Sequence, residues 1–356
     1  MTIKRLDVRN FRNLQEVTLE PGPAINLIEG PNGSGKTSLL EAIHVAGVGR
    51  SFLTHHRQLL IRQGCPEATV FVIRQDQDRE ERTGVRFSAG GEWEFRRDGE
   101  RINTRAALAQ GKPLAVITPE SHALVEGGPK ERRSFLDWGL FHVEQDFLEV
   151  WRRYQRALRQ RNACLAQGAE EASAWTPMLC EAGTRVDGGR RAWVERVAAE
   201  LGQSPLLGSL PGGVHLWYER GWIKEHSLAE ALERDTERDR RDGLTHSGPH
   251  RGDMKIRIDD HPASDVLSRG QEKLLVCGLW LAQLVLVREI TARAPIVLLD
   301  DLPSELDERN RCLLLEALVA LGAQIFVTTT DLSLTPTPFP DTRLFHVEQG
   351  RITTVV

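Results

Sequence analysis

The sequence predicts an α/β fold with an antiparallel β subdomain and a mainly helical lobe inserted between its two halves. Three observations carry that prediction. The apolar run Ala24-Ile25-Asn26-Leu27-Ile28 feeds a glycine-rich loop and then a helix-forming segment. Far along the chain, Pro295-Ile296-Val297-Leu298-Leu299 is apolar throughout and ends in Asp300-Asp301, as a central parallel strand buried on both faces should. Between them the texture changes to long Arg- and Ala-rich stretches with few strand formers. The expected division is residues 1–130 and 243–356 as the two halves of the α/β body, with 131–242 as the inserted lobe.

Taken in order, Ile3, Leu6 and Val8 pattern as a strand, and Val17 and Leu19 resume the alternation after a polar Phe11-Arg12-Asn13 break. Pro21-Gly22-Pro23 stops that strand. The strand at 24–28 follows, then a helix beginning near Ser38. From Thr69 to Ile102, runs such as Val70-Phe71-Val72-Ile73 alternate with Gly and Asp turns, which reads as a sheet of hairpins. Helices are expected over Phe147 to Gln167, Arg190 to Leu201 and, as one charged solvated element, Leu228 to Arg241. Strands at 214–218 and 254–258, a long helix from Gln271 to Ile290, a helix over Asn310 to Leu321 and a last strand at Gln324 to Val327 complete the chain.

Composition bounds the function. The 356 residues carry 46 Lys plus Arg against 50 Asp plus Glu, a formal charge of −4, which excludes a uniformly basic binder but not a local basic face. The 5 cysteines are scattered without a C-x-x-C pair, which argues against a disulfide framework and a Cys-rich zinc site. The longest apolar stretch, Leu274 to Val287, includes Gln283 and falls short of the roughly 18 residues of a membrane span. No apolar signal core follows the basic start. A cytoplasmic protein with no membrane partner is expected.

The segment Gly30-Pro31-Asn32-Gly33-Ser34-Gly35-Lys36-Thr37-Ser38 contains G-x-x-x-x-G-K-[ST], with a strand before and a helix after. Gly33 and Gly35 let successive N–H groups curl toward phosphate oxygens, and the helix start adds partial positive charge. Lys36 would neutralise the β- and γ-phosphates of ATP, and the Thr37 hydroxyl would ligate Mg²⁺. Asp300 would hold the same Mg²⁺, and Asp301 would act as general base toward water. The plain alternatives are a glycine-rich turn and two acids that open a loop or cap a helix. Leu267-Ser268-Arg269-Gly270-Gln271 precedes a long apolar helix and offers a second anion-binding surface, although Ser268 could be an ordinary N-cap.

The ordered set of phosphate loop, Ser268-Arg269-Gly270-Gln271 signature, acidic strand and Ser304-Glu305-Leu306-Asp307 resembles the ABC-type ATPases. That resemblance implies an ABC-type P-loop ATPase head in which Ser268, Arg269, Gly270, Gln271, Ser304 and Asp307 of one copy meet ATP held by another. One chain carries one of each element, so two sites require an ATP-dependent homodimer. The ATPase subunit of a membrane transporter is the alternative; the large insert between Thr37 and Asp300 argues against it, and no sustained heptads mark a long-armed chromosome-organising ATPase.

Further motifs are similar to the RecF family of DNA recombination and repair proteins: Asn10-Phe11-Arg12-Asn13, Leu39-Leu40-Glu41-Ala42-Ile43, Gly49-Arg50-Ser51-Phe52, Gly127-Gly128-Pro129, Arg132-Arg133-Ser134-Phe135-Leu136-Asp137 and Gly248-Pro249-His250-Arg251. The resemblance implies a nucleoid-associated, weak DNA-stimulated ATPase acting on duplex and single-strand/double-strand junction DNA, with RecO and RecR, to place RecA. It also implies that Arg12 and Asn13 lie near the nucleotide phosphates, an ordinary polar turn being the alternative. Two departures from the ABC pattern point to slow turnover. Asp301 stands where a glutamate is usual, and Thr328-Thr329-Thr330 stands where a histidine follows the last strand. Thr118-Pro119-Glu120 receives no role.

Two basic runs are candidates for DNA phosphates. Between Ala42 and Pro66 there is no acid, while Arg50, His55, His56, Arg57 and Arg62 supply positive or titratable groups, with Arg50 to Arg57 the favoured DNA contact. Trp151 to Arg161 carries five arginines, and there ion pairing with acids of the same lobe is the favoured alternative. Arg132, Arg133, His250 and Arg251 remain open between bracing and contact.

Overall fold

A computed structural model describes residues 2–76, 79–168, 170–301, 306–332, 339 and 341–355. The chain forms two compact units, Met1–Ser121 with Val287–Val356, and His122–Leu286.

The first unit holds two six-stranded sheets. Strands β1 (Thr2–Phe11), β2 (Leu14–Leu19), β4 (Glu67–Asp76), β5 (Arg79–Ser88), β6 (Trp93–Arg97) and β7 (Glu100–Ile102) form an antiparallel sheet in the order β2-β1-β4-β5-β6-β7. The expected hairpin sheet at 69–102 is present, and it also recruits the first two strands. A register shift between Ile3 and Arg5 in the β1–β4 pairing explains why Ile3, Leu6 and Val8 can all be buried despite their odd spacing.

The second sheet contains β3 (Ile25–Glu29), β8 (Leu114–Ile117), β12 (Ile296–Leu299), β13 (Gln324–Thr329), β14 (Arg343–Glu348) and β15 (Arg351–Thr354), ordered β15-β14-β3-β13-β12-β8. All pairings are parallel except β14 with β15. Strands β12 and β13 are buried at every position, which accounts for the wholly apolar β12 and the apolar centre of β13 between Gln324 and Thr328. Leu39, Leu40 and Ile43 of the helix Lys36–Val48 share a core with Val8, Phe11, Val70 and Phe87 of one sheet and Leu298 and Phe326 of the other.

The second unit contains the helices Pro129–Val143, Phe147–Ala166 and Thr176–Leu201, with a core including Val150, Tyr154, Leu158, Leu179, Val186 and Leu228. It also contains a three-stranded antiparallel sheet of β9 (Val214–Glu219), β10 (Asp253–Ile258) and β11 (His261–Pro262). The contact-defined units thus divide the chain elsewhere than at residues 130 and 242. Strand β10 pairs along its length with β9, and Arg132 forms a two-pronged ion pair with Asp253 (2.7 and 3.1 Å). Most of the helix Arg269–Thr291 falls in this unit too. By length and hydropathy that helix could cross a membrane, but 67% of its apolar window is buried within the protein.

The single solvated helix expected at 228–241 is instead two, Leu228–Arg234 and Thr236–Asp242. Asp235 separates them and accepts a hydrogen bond from Ser247 Oγ at 2.6 Å. Asp239 is fully buried and paired with Arg161 at 2.7 Å, so the second helix is anchored rather than solvated.

Candidate nucleotide-binding site

Strand β3 ends at Glu29, and the glycine-rich loop delivers the chain into the helix Lys36–Val48. Gly33 and Gly35 have φ of 76° and 121°, in the region that side chains disfavour. At Gly35 an added Cβ would also stand 2.9 Å from Leu14 Cδ2. The loop therefore requires glycine at both positions.

The loop borders a cavity of 340 Å³ lined by Asn13, Asn32, Gly33, Gly35, Lys36, Thr37, Ser38, Pro119, Asp300, Asp301, Thr328 and Thr330. Two segments 263 residues apart meet here: Thr37 Oγ1 donates to Asp300, 3.1 Å from each carboxylate oxygen. The parallel sheet makes this possible, because the chain ends of β3, β12 and β13 lie side by side. Lys36 Nζ donates to the carbonyls of Gly30 (2.6 Å) and Pro31 (3.0 Å). Those two residues and the buried Ser34 support the loop rather than line the cavity.

Electrostatics follow from burial. Burial lowers the Lys36 ammonium, opposed by Asp301, Asp300 and Glu29. Burial raises the Asp300 carboxyl; Thr328 and Thr37 oppose this by donating to it, while Asp301 and Glu120 add to it. Asp301 adopts φ 53°, a conformation that Asp tolerates better than most residues. Among the described residues no cluster of three or more His, Cys, Asp or Glu could hold a metal ion. Thr37 and Asp300 instead offer one hydroxyl and one carboxylate, a donor set that suits Mg²⁺ taking its remaining ligands from phosphate and water.

Sequence reasoning missed Thr328. Its fully buried hydroxyl donates to Asp300 Oδ1 (2.7 Å) and accepts from the Asp301 backbone N–H (2.8 Å). The signal was the Thr328-Thr329-Thr330 run, noted only for the histidine it lacks. Asn13 and Arg12 separate in role. Asn13 lines the cavity and donates to Gly33 O at 3.1 Å. Arg12 is held by both oxygens of fully buried Glu41, at 2.6 and 2.8 Å.

In the second unit, Ser268, Arg269 and Gly270 are exposed at the start of the long helix. The Ser268 backbone N–H donates to Gln271 Oε1 at 3.0 Å, one half of a capping box. Asp307 caps the helix Glu308–Ala320, accepting from Asn310 N and Nδ2 at 2.8 Å each. Ser304 lies outside the described residues.

Arg50, His55, His56 and Arg57 are all exposed. Arg57 and Arg105 lie over the Trp93 ring at 5.8 and 5.4 Å, and burial together with Arg57 and Arg50 lowers the Arg105 guanidinium. Arg105 thus extends a basic patch that sequence spacing did not reveal. In the second run, Arg161 is buried against Asp239 and Arg153 pairs with Glu181 at 2.9 Å; for these two the ion-pair alternative describes what is seen. Arg133 donates to Gly252 O at 2.8 Å. His250 bonds Tyr154 Oη (2.5 Å) and Thr245 O (2.9 Å), not an acid, and burial pushes it down to about 4.

Comparison with known proteins gives this geometry a family. The RecF/RecN/SMC N terminal domain matches residues 2–352. A protein of Azotobacter vinelandii named DNA replication and repair protein RecF is 45% identical over 99% of this chain and 98% of its own. Solved structures of the recombination mediator protein RecF in the RecFOR pathway, as RecF-ATP and RecF-ATPrS, superpose with TM-scores of 0.89 and 0.88 at 25% and 26% identity. They cover 100% and 99% of this chain and 98% of theirs. The chain belongs to the RecF family.

Proposed function

We propose that the chain is an ATP-dependent DNA-binding protein of recombinational repair. In this reading it binds gapped or junction DNA, works with RecO and RecR to load RecA, and hydrolyses ATP slowly under stimulation by DNA. The observation that carries the reading is the cavity in which Lys36, Thr37, Asp300 and Asp301 converge. It supports triphosphate binding by the loop amides and Lys36, with Mg²⁺ held between Thr37 and Asp300 and neutralising phosphate charge when bound. In this reading Asp301, which lines the cavity, accepts a proton from water.

The exposed Ser268-Arg269-Gly270 helix start supports closure over the γ-phosphate of a second copy, together with Ser304 and Asp307, so that ATP promotes a homodimer and hydrolysis releases it. Arg50, His55, His56 and Arg57 supply the phosphate-binding face. The names and ATP-bound states of the family structures support the same reading. The test is ATP hydrolysis with and without junction DNA at two salt concentrations. Stimulation that weakens with salt supports the reading; a rate indifferent to DNA at both salts overturns it.

A further inference from the structure

The exposed basic loop after the helix Lys36–Val48 is hydrogen-bonded at its start to that helix and at its far end to the Arg12–Asn13 turn, which touches the phosphate loop. At its start, Ser51 Oγ donates to Glu41 Oε1 and accepts from the backbone N–H groups of Leu53 and Thr54, each at 2.9 Å. Thr54 Oγ1 in turn accepts from His56 N at 3.0 Å. At the far end, Leu60 O accepts from Arg12 N at 2.9 Å, and Arg62 Nη1 donates to Asn13 O at 3.0 Å. The Arg12–Asn13 turn closes the circuit, because Arg12 grips Glu41 and Asn13 grips Gly33.

Glu41 is the hub. Its carboxylate is 0% exposed and sits five residues beyond Lys36 on the same helix. A buried carboxylate stripped of its donors is strongly unfavourable, so Ser51, Arg12 and the helix are constrained to move together.

We infer that Glu41 and Ser51 are positioning residues that transmit nucleic-acid binding at Arg50–Arg57 to the phosphate loop. The inference rests on the reading of this chain as a DNA-stimulated ATPase and adds to it the route of stimulation. Neither side chain lines the nucleotide cavity, and Ser51 is not itself one of the basic groups, so the link is separable from both binding functions.

The test uses the full chain with Ser51→Ala, which removes the loop's bond to Glu41 while leaving the Arg12–Glu41 pair and the far-end bonds of Leu60 and Arg62 intact. Basal hydrolysis, KM for ATP, thermal stability and DNA affinity by anisotropy are measured with hydrolysis at saturating DNA. The expected result is unchanged basal kcat and KM and retained DNA affinity, with DNA stimulation reduced roughly tenfold or more, the scale of one hydrogen bond to a charged group. Ser51→Thr should restore stimulation, which a purely structural role would not require. Stimulation of Ser51→Ala at the wild-type level overturns the inference. So does a defect that disappears at saturating DNA, since Ser51 would then only shape the binding loop. Absence of DNA stimulation in the wild type overturns the underlying reading instead, and this inference with it.

Discussion

Replacing Thr328 by valine isolates one oxygen atom at the centre of the site. The side chain is fully buried at the end of β13, and valine matches its shape. The hydroxyl donates to Asp300 Oδ1 at 2.7 Å and accepts from Asp301 N at 2.8 Å. Losing the first bond removes a hydrogen bond to a charged group, worth about 1.5–3 kcal/mol. Losing the second frees the backbone that sets the left-handed conformation of Asp301. Asp300 already sits above the ordinary carboxylate range because it is buried beside Asp301, and Thr328 is one of the two donors opposing that shift. Thr328→Val should therefore raise it further and shrink the ionised fraction able to hold Mg²⁺. Steady-state ATP hydrolysis should fall by about tenfold or more, as about 1.4 kcal/mol is a factor of ten. Its acid limb should move to higher pH, and more Mg²⁺ should be needed for half-maximal rate. Thr328→Ser, which keeps the hydroxyl, should retain most of the activity. A valine variant with the wild-type rate and a superimposable pH profile would refute the role given to Thr328.

Three further outcomes follow from the site and the buried histidines. Asp301→Asn should bind ATP but hydrolyse it at least about a hundredfold more slowly, the range for a general base, and accumulate as an ATP-bound dimer on sizing by light scattering; unchanged turnover would remove Asp301 from that role. Ser268→Arg should leave ATP affinity within about twofold while abolishing ATP-dependent association, because bulk and charge are added at the exposed helix start; a variant that still dimerises with ATP contradicts the composite site. His44 and His250 are pushed by burial from 6.5 down to about 4, so the unfolded chain takes up their protons at higher pH than the folded one. Their contribution, about 3 kcal/mol each at most, is present above pH ~6.5 and lost as pH falls toward ~4. Denaturant melts across that window should show the loss, and His250→Gln should reduce it by about half, leaving the His44 share.

What could be read from the chain divides according to how local its cause is. The phosphate loop was legible because consecutive residues make it, and the glycines are demanded by backbone conformation at Gly33 and Gly35. Strand β12 was legible because burial on both faces leaves no polar position between Ile296 and Leu299. Thr328 was not, because its role depends on the β12–β13 register, which places Leu299 opposite Val327 and so brings the strand ends together. No motif spacing encodes that pairing. The break at Asp235 was hidden for a similar reason. The run from Leu228 to Arg241 has helical composition throughout, but Ser247, beyond its end, engages Asp235, and Arg161, 78 residues earlier, engages Asp239. Arg105 joined the basic patch only through the fold, by sharing the Trp93 ring with Arg57.

The same buried hydroxyl bears on why turnover should be slow. A side chain after the last strand could in principle hold the attacking water or the γ-phosphate, but Thr328 Oγ1 is already engaged by Asp300 and Asp301 N. Its directional capacity is thus directed toward ordering the carboxylates. The candidate base at 301 is an aspartate, with a shorter reach than the glutamate usual in ABC-type ATPases. The metal side of the cavity is therefore braced by two hydroxyls, from Thr37 and Thr328, while the water side has less to orient it. Under the proposed function, such a site would favour a long-lived bound state over rapid cleavage, as the proposed ATP-held pair of copies on DNA would require. If Thr330, which also lines the cavity, supplied the missing orientation, Thr330→Val would lower the rate as far as Thr328→Val does; a small effect at 330 beside a large one at 328 keeps the asymmetry intact.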